Sequence, residues 1–510
     1  MGEQLKRKIA MKKFKSALIL LSAVVFSQSY ADDYIIRSTD TAEGTTRFQG
    51  TNVKNYTSNI EIPSSGLTSE DNLLVYGYYD INNGTNISVN RFTYVSNGRH
   101  GNSFSFYSGS GSTVIQAREI MFLLQPDNNV AYDYTKGINA EDLTDLSGLS
   151  NLPNFNVNGS TVTLRGEIVN SNTLDINIGS NYISGQSSLT LESYDENSTA
   201  EYSIGTVYFN YSRQGSDSSG ILTVGRGLTL NVDEITFSSS YSEGATASST
   251  LNIVNGGRLN LGAVNFKYDS DVVTINHLDG VLGVCSSSYL EISTGGRPAT
   301  LNYVLGENSI FDTTNGIICI ESSVNLSSAS GVNGGMLVRG GGELNIFTSV
   351  DAVTGKVHVT GGSILHSDNG WFVNAQSVQV DAGSRLGFDG DMLLNADSQI
   401  TIGVDSESVF GQIGNTVTIL SEDGSYGSLY FILGADAFEN TDSITIGLDS
   451  IIGDSSFTDW DSFDISTNMG EYYIQDGNIT FVVPEPAEWA ALFGAVALGG
   501  AAWRRRRAGR

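Results

Sequence analysis

Short runs in which apolar and polar residues alternate occupy most of the chain between residues 32 and 483. One unit recurs clearly: residues 249–266 read STLNIVNGGRLNLGAVNF, and residues 220–237 read GILTVGRGLTLNVDEITF. Each unit has an apolar-x-apolar segment, a turn that contains glycine, and a second apolar-x-apolar segment. A period of two is typical of β-strands with one buried face, whereas helical periodicity is almost absent.

Looser copies of this unit begin at residues 288, 335, 355 and 376, so that successive units start 29, 39, 47, 20 and 21 residues apart. Spacings near 20 match one coil of a parallel β-helix, and the longer ones indicate coils with loops or two coils taken together. The chain is therefore predicted to be all-β, a right-handed parallel β-helix, or β-solenoid. A set of antiparallel sandwiches is the alternative, since it also consists of short strands and turns.

The alternation also predicts which side chains fill the interior of the solenoid. Neighbouring residues of a strand point to opposite faces, so the apolar members of the unit should point inward. These are Leu251, Ile253, Leu259 and Leu261. Asn252 and Asn260 should then point outward.

Sequence regularity divides the body into three regions. Residues 216–405 contain the repeats, whereas residues 32–215 are β-rich but irregular, with a short helix expected near residues 141–146. We expect this irregular part to be an N-terminal cap, because terminal repeats of solenoids are atypical. Residues 406–483 are expected to form a closing β cap. In that cap, Asp476-Gly477 between two alternating segments predicts a hairpin.

The N-terminus has the pattern of a secretory signal peptide. Three lysines precede an apolar run at residues 17–26, and small residues end the segment at Ala31. We expect residues 1–31 to direct export through the Sec machinery, with signal peptidase cutting after Ala31. Because Met11 begins a complete signal by itself, we expect translation to start there. A permanent anchor would need about 20 apolar residues, twice the length of this run.

The C-terminus, residues 484–510, has three parts in order: Pro484, Glu485 and Pro486, an uncharged run at residues 489–503, and the cluster Arg504, Arg505, Arg506 and Arg507. The prolines hold the first part extended, which suits it to lie in an enzyme's cleft. The uncharged run, with tryptophan at both ends, suits a membrane. The arginines are expected to stay in the cytoplasm by the positive-inside rule.

These three parts resemble a PEP-CTERM sorting domain, although the resemblance covers only about 27 of the 510 residues. It implies a Gram-negative envelope, recognition by an exosortase, and processing near the Pro-Glu-Pro segment. It also implies that a transient inner-membrane anchor precedes release to the cell surface or an exopolysaccharide matrix. The body resembles the β-strand repeats of autotransporter-like passengers. An ordinary C-terminal membrane anchor is the alternative.

Charge excludes one class of partner. The chain has a net charge of −28, and residues 32–483 contain 52 acidic residues against 16 basic ones. Such a surface repels phosphate backbones, so we expect no nucleic-acid partner.

Signatures of catalysis and metal binding are scarce. The chain has four histidines and lacks the sequence motifs of zinc proteases, serine hydrolases and P-loop nucleotide-binding proteins. His358 and His366 lie in or beside one repeat, where solvated histidines are expected more often than a metal pair. The pairs Asp269 with Asp271 and Asp389 with Asp391 offer oxygen ligands suited to calcium. No calcium-binding motif surrounds them, so no metal ligand or cofactor is assigned.

Two further groups of residues leave alternatives open. Arg226, Arg258 and Arg297 occupy corresponding turn positions, as solvated coil residues or as the basic row of a polysaccharide lyase. Cys285 and Cys319 either form a disulfide between adjacent coils, which an oxidising compartment permits, or remain buried thiols.

Two functional classes follow from these observations. We expect a noncatalytic cell-surface or matrix solenoid with a structural or adhesive role and glycans among its partners. The alternative is a secreted β-helix enzyme acting on extracellular polysaccharide, as a lyase or glycoside hydrolase. A groove lined by converging Asp and Arg or Lys would favour the enzyme, and a smooth prism would favour the structural role.

Overall fold

The computed structural model describes residues 33–38, 44–48, 51–56, 67–77, 86–96, 103–106, 112–124, 150–169, 174–179, 185–209, 218–237, 247–267, 272–285, 288–439 and 441–483. The described residues are almost entirely β-strands and turns. The strands follow in chain order: β1 (Asp33–Ser38), β2 (Gly44–Phe48), β3 (Thr51–Tyr56), β4 (Asn72–Gly77), β5 (Asn86–Ser96), β6 (Ser103–Phe106), β7 (Ser112–Leu124), β8 (Ser150–Asn151), β9 (Asn154–Val157), β10 (Thr161–Val169), β11 (Asp175–Ile178), β12 (Gly185–Glu192), β13 (Ala200–Phe209), β14 (Ser218–Val224), β15 (Leu228–Phe237), β16 (Ala247–Val254), β17 (Arg258–Phe266), β18 (Val272–Leu278), β19 (Val281–Val284), β20 (Tyr289–Ile292), β21 (Thr300–Leu305), β22 (Ser309–Asp312), β23 (Ile317–Ile320), β24 (Val324–Ser328), β25 (Met336–Arg339), β26 (Glu343–Ile346), β27 (Lys356–Val359), β28 (Ile364–Ser367), β29 (Ser377–Val380), β30 (Arg385–Gly387), β31 (Asp389–Leu394), β32 (Gln399–Ser406), β33 (Val409–Phe410), β34 (Gln412–Ile413), β35 (Thr416–Ser421), β36 (Ser428–Leu433), β37 (Ser443–Gly447), β38 (Asp464–Thr467), β39 (Glu471–Gln475) and β40 (Asn478–Val482). One short helix, α1 (Leu448–Ile451), and one 3₁₀ turn at Trp460–Ser462 are also present.

Most strands belong to three long parallel sheets that run side by side. Sheet 1 has the order β2-β3-β1-β4-β5-β7-β10-β12-β14-β16-β18-β21-β24, with β8 beside β7. Sheet 2 has the order β38-β36-β32-β29-β27-β25-β22-β19-β17-β15-β13-β11-β9-β6, with β33 beside β32. Sheet 3 has the order β20-β23-β26-β28-β30-β34, and β31 pairs with β35.

The chain winds through these sheets in coils. From β10 to β19 it alternates between sheets 1 and 2, and from β20 to β26 it passes through sheets 3, 1 and 2 in turn. Each passage adds one parallel strand beside the preceding coil. This is a parallel β-helix, and the predicted fold class is confirmed.

The repeats detected in the sequence correspond to different sides of the coil. Gly220 pairs with Ser249, so the first two units are β14–β15 and β16–β17 and lie exactly one coil apart in sheets 1 and 2. The unit at residue 288 is β20–β21, which joins sheet 3 to sheet 1. The later units are β25–β26, β27–β28 and β29–β30, which join sheet 2 to sheet 3. The spacings of 39 and 47 therefore compare segments that do not stack on each other.

The interior is one continuous apolar core. All four residues predicted to point inward are at most 1% exposed, as expected from the alternation: Leu251, Ile253, Leu259 and Leu261. Aromatic rings also stack from coil to coil, since the ring centroids of Phe209 and Phe237 are 5.0 Å apart and those of Phe237 and Phe266 are 5.2 Å apart. The parallel register places these three residues directly over one another.

The two asparagines predicted to point outward differ in exposure. Asn252 is half-buried on the outer face of sheet 1. Asn260 lies on the outer face of sheet 2 but is buried, because Arg258 Nε donates to its Oδ1 at 3.0 Å. Its own Nδ2 donates to Asn231 Oδ1 in the preceding coil at 2.7 Å. Neighbouring polar side chains, rather than the core, cover Asn260.

Consecutive glycines meet two different requirements in the turn between β16 and β17. Gly256 has φ of 75°, a backbone conformation that favours glycine, and follows Asn255 with φ of 53°. At Gly257 the constraint is space, because a Cβ there would lie 2.5 Å from the carbonyl oxygen of Val224. A close approach of the preceding coil therefore requires glycine at this position.

The same sheets continue across residues 216 and 405, the region boundaries suggested by sequence regularity. Strands β10, β12 and β13, which precede residue 216, pair in the same two sheets as the later repeats. Beyond residue 405, β36 and β38 continue sheet 2. The coils thus extend through parts of both predicted caps. The helix expected near residues 141–146 lies outside the described residues.

An antiparallel sheet follows the last coils. Its order is β37-β40-β39, and β39 and β40 form the predicted hairpin across Asp476 and Gly477. Both turn residues have positive φ, as a two-residue hairpin turn requires. Phe481 of β40 packs on Phe431 of β36 with ring centroids 5.1 Å apart. The hairpin is confirmed, and it packs against the last part of sheet 2.

Truncating one inward residue should destabilise the protein far more than truncating an outward residue of the same repeat unit. Leu259→Ala should lower the free energy of unfolding by about 2–5 kcal/mol, because it leaves a cavity between packed coils. Asn252→Ala removes side-chain hydrogen bonds on a half-exposed face and should cost about 1 kcal/mol or less. Urea unfolding followed by far-ultraviolet circular dichroism measures both effects. Equal losses would contradict the inward and outward assignment.

Candidate functional site

The outer face of sheet 1 is uncharged over five successive strands of the sheet: β14, β16, β18, β21 and β24. Burial alternates along these strands, and the outward positions are filled by small polar and aliphatic residues. They are Ser219, Ile221, Thr223, Ser248, Thr250, Asn252, Val254, Val272, Thr274, Asn276, Leu278, Thr300, Asn302, Val304, Asn325 and Ser327. With the outward Ser188 and Thr190 of β12, they form a surface that we call the neutral face. The next outward residue of β12 is Glu192, which pairs with Arg165 and marks the edge of this surface. In a chain with a net charge of −28, this composition is unusual.

Side-chain hydrogen bonds run across the neutral face from strand to strand. Asn252 Nδ2 donates to Thr223 Oγ1 at 3.0 Å, and Asn276 Nδ2 donates to Asn252 Oδ1 at 2.8 Å. Further along the sheet, Asn325 Nδ2 donates to Asn302 Oδ1 at 3.2 Å. These bonds fix the amide orientations and order the face.

The outer face of sheet 2 is charged and ion-paired. Asp312 is buried between two arginines: its Oδ2 lies 2.8 Å from Arg258 Nη1 and 3.5 Å from Arg339 Nε. Its Oδ1 accepts hydrogen bonds from the backbone and hydroxyl of Thr314. Burial alone would raise the pKa of Asp312, but the hydrogen bonds from Thr314 and Arg258 outweigh it and lower the pKa to about 2.

A glycine allows Arg258 to reach Asp312 across an intervening strand. Arg258 in β17 and Asp312 in β22 are separated by β19, whose outward residue at this level is Gly283. A Cβ at Gly283 would lie 2.4 Å from Asn260 Oδ1 and 3.2 Å from Arg258 Nη2. The missing side chain therefore leaves the path by which Arg258 reaches Asp312 across one strand.

Convergence of Asp312 with two arginines is the arrangement that would favour an enzyme, but its chemistry is unsuited to proton transfer near neutral pH. A general base works best when its pKa is close to the operating pH, and the pKa of Asp312 is about 2. Its lone pairs are already engaged by Arg258 and Thr314. The cluster joins coils of the solenoid through two partly buried ion pairs.

The three arginines at corresponding turn positions are not brought together. Arg258 pairs in register with Thr229 rather than with Arg226. Arg226 lies in the turn before β15, where its Nη1 is 3.6 Å from Glu196 Oε1. Arg297 lies in the turn between β20 and β21. The basic row that a polysaccharide lyase would need is therefore not formed by these three arginines.

The histidines noted in the sequence lie apart. His358 in sheet 2 contacts Asp381 at 2.9 Å, and His366 in sheet 3 contacts Asp368 at 2.7 Å. Although burial raises the pKa of Asp381, the hydrogen bond from His358 and its other polar contacts lower it to about 2. Within the described residues, no three metal-ligating side chains cluster.

Of the two aspartate pairs considered as calcium ligands, one lies within the described residues. Asp389 Oδ1 accepts the backbone N–H of Thr416 at 2.9 Å, in the strand that pairs with its own. Asp391 lies two residues further along β31 and is exposed. Asp269 and Asp271 lie outside the described residues. Asp389 thus has a hydrogen-bonding role between coils, and no ligand assignment is added.

The two cysteines are not joined by a disulfide in the structure. Cys319 lies in β23 of sheet 3, where its partner in the preceding coil is Glu291, whereas Cys285 follows β19 of sheet 2. The two residues therefore do not stack in adjacent coils, as a disulfide between them would require. Cys319 instead accepts a long hydrogen bond from Asn345 Nδ2 at 3.7 Å, and its hydrogen bond with Tyr289 raises the pKa of that tyrosine.

One histidine that belongs to no sequence motif, His277, is buried. His277 is inside the solenoid, where Nε2 lies 2.9 Å from Gly280 O and Nδ1 lies 2.9 Å from the Tyr303 hydroxyl. Because a carbonyl oxygen only accepts, Nε2 carries the proton and Nδ1 accepts from Tyr303. Burial lowers the pKa of His277 to about 4. The sequence signal for its burial is the alternation in VVTINHL. This alternation places His277 on the inward side with Val273 and Ile275.

The sorting signals cannot be placed in the structure. Ala31 and Met11 precede the described residues, and the Pro484-Glu485-Pro486 segment and Arg504 to Arg507 follow them. Among the residues that the structure describes, no helix is long and apolar enough to span a membrane. The N-terminal and C-terminal signals stay predictions.

His277 should make the protein sensitive to mild acid. Its folded-state pKa of about 4 lies below the ordinary value of 6.5, so its stabilising contribution is present above pH 6.5 and is lost as the pH falls toward 4. Over that range the contribution is on the order of 3 kcal/mol. His277→Phe should therefore lose less stability than the wild type between pH 7 and pH 4 in thermal unfolding scans. His366→Gln, on the surface, is the control and should follow the wild type; parallel curves for all three would contradict the assignment.

Comparisons with known proteins gave no relative on which to base a function. No protein-family model matches the chain, and no curated protein and no solved structure is significantly similar to it. The functional candidates therefore depend on the geometry described above: a neutral face on sheet 1, and an ion-paired face on sheet 2.

Proposed function

We propose that this protein is an exported cell-surface or exopolysaccharide-matrix protein whose β-solenoid has a structural or adhesive role. The observation that carries the proposal is the continuity of the coils, whose shared core extends from Leu73 to Phe481. A solenoid of this kind presents long, repetitive outer faces, and each repeat contacts only its neighbours. Such surfaces suit repeated weak contacts with a polymer or a matrix.

The titratable groups support a noncatalytic role. In the described part of the chain, the pKa values of the shifted carboxylates move down, which holds them ionised at neutral pH. The pKa of His277 is also lowered, and its side chain is buried in the core. None of these groups combines an accessible position with a pKa near 7, as general acid–base catalysis would require.

Export and sorting belong to the same proposal and are supported by the sequence alone. Signal peptidase and the Sec machinery would process the N-terminus, and an exosortase would process the C-terminal segment after transient insertion in the inner membrane. Glycans of the envelope or matrix are the expected environment of the body.

A secreted β-helix enzyme acting on polysaccharide is the second candidate, as a lyase or glycoside hydrolase. The convergence of Asp312 with Arg258 and Arg339 on one outer face favours it. The low pKa of Asp312 and its saturated hydrogen bonding favour the structural role instead.

Replacing both prolines of the C-terminal segment should block sorting. In an exosortase-containing host, Pro484→Ala with Pro486→Ala should leave full-length precursor in the inner membrane, because the segment loses its fixed extended conformation. Cell fractionation with mass spectrometry of the C-terminus measures the outcome. A matched variant, Pro153→Ala, changes a proline in the body and should be sorted normally. Wild-type protein recovered from the cell surface with Arg504 to Arg510 still attached would refute sorting by cleavage.

The full chain should not degrade polysaccharide. Incubation with neutral and acidic polysaccharides, with and without calcium, should release neither reducing ends nor unsaturated uronates that absorb in the ultraviolet. The physical reason is that the converging carboxylate is already paired and has a pKa of about 2. Turnover that disappears in Asp312→Asn, but persists in the Asp389→Asn control, would establish the enzyme in place of the structural role.

A further inference from the structure

We propose that the neutral face of sheet 1 binds an extended, uncharged polysaccharide whose chain lies along the solenoid axis. This inference rests on the proposed function, since it names the partner and the surface through which a matrix protein would act.

Charge distinguishes this face from the rest of the coil surface. The outward positions of β14, β16, β18, β21 and β24 carry no acidic or basic residue. Sheet 2 presents Asp233, Arg258, Asp312, Arg339 and Lys356 on comparable strands. A strongly acidic protein repels anionic polymers at long range, but an uncharged polymer experiences no such repulsion. The neutral face also imposes no cost of desolvating a charge when a ligand covers it.

Regular spacing provides the second argument. Strands of a sheet lie about 4.8 Å apart, and alternate residues along a strand lie about 6.6 Å apart. Because the coils pair in register, polar side chains repeat in straight rows across the strands. One row runs through Thr190, Thr223, Asn252 and Asn276. Sugar units of an extended, β-linked chain repeat at a comparable length, so successive units would meet successive strands.

A second row parallels the first and is also mainly polar. It contains Ser188, Ile221, Thr250, Thr274, Asn302 and Asn325. The two rows lie on alternate residues of the same strands, so one polymer chain could contact both. The contact would extend over six strands without a change of sheet.

The side chains offer what sugar hydroxyls require. A threonine hydroxyl both donates and accepts, and an asparagine amide has two N–H donors and a carbonyl acceptor. The bonds from Asn252 and Asn276 along the row use one N–H of each amide. Beside them, Val254, Leu278 and Val304 provide aliphatic surface suited to the C–H groups of a sugar ring.

A second copy of the chain is the competing occupant. Two acidic bodies would approach each other most easily through an uncharged face, and the aliphatic residues would favour contact. The regular polar rows favour a polymer with a matching repeat, and the experiment separates the two outcomes.

The test uses the full chain and two double variants of equal composition. Thr250→Val with Thr274→Val removes two adjacent hydroxyls from the second row while keeping side-chain shape and strand preference. Thr229→Val with Thr401→Val makes the same change on the outer face of sheet 2. Binding to a soluble, unsubstituted β-glucan and to polygalacturonate is measured by affinity electrophoresis, and sedimentation velocity measures self-association.

We expect the wild type and the sheet 2 variant to bind the neutral glucan equally, the sheet 1 variant to bind at least tenfold more weakly, and no protein to bind polygalacturonate. Equal binding by all three proteins, or preference for polygalacturonate, would overturn the inference. Self-association lost only in the sheet 1 variant, without glucan binding, would also overturn it and assign the face to a second copy. Wild-type protein that reaches the cell surface but binds no glucan would refute this inference alone. Failure to reach the surface would refute the proposed function.

Discussion

Register between coils is the constraint on which the rest of the structure depends. The strands of successive coils pair in parallel, so inward side chains lie over their counterparts in the coil before. The aromatic stack of Phe209, Phe237 and Phe266 shows the result, because ring contacts continue from coil to coil. A shift of one residue in any coil would turn its apolar residues outward. The same register orders the outer faces, since polar residues also repeat in rows.

The two main outer faces use this order differently. On sheet 1, amides and hydroxyls bond to each other and leave an uncharged surface. On sheet 2, Gly283 opens a path through which Arg258 and Asp312 join strands that are not neighbours. Sheet 1 thus presents an uncharged surface ordered by hydrogen bonds, whereas charged groups on sheet 2 pair with one another. This contrast supports the proposal that sheet 1 carries the binding surface.

Local alternation predicted the fold class and the inward residues because burial on one face has the same period in every coil. Leu251 and Leu259 are buried for this reason. Sequence spacing could not identify which sides of the coil were being compared, because a glycine turn between two short strands looks alike at every corner. The pairing of Arg258 with Asp312 also escaped prediction, since it joins residues 54 positions apart through a gap at a third residue. His277 follows the alternation of its strand, but no motif draws attention to it, and its burial was not predicted.

The antiparallel cap has a mechanical consequence. Strand β40 lies between β37 and β39 and ends at Val482, just before the end of the described chain. A pulling force applied beyond Val482 reaches the coils through β40, whose hydrogen bonds to both neighbours lie in its path. The coils behind it are joined by bonds that run from one coil to the next, so each can peel away singly once exposed. Two rows of antiparallel hydrogen bonds therefore lie between a load at this end of the described chain and the coils.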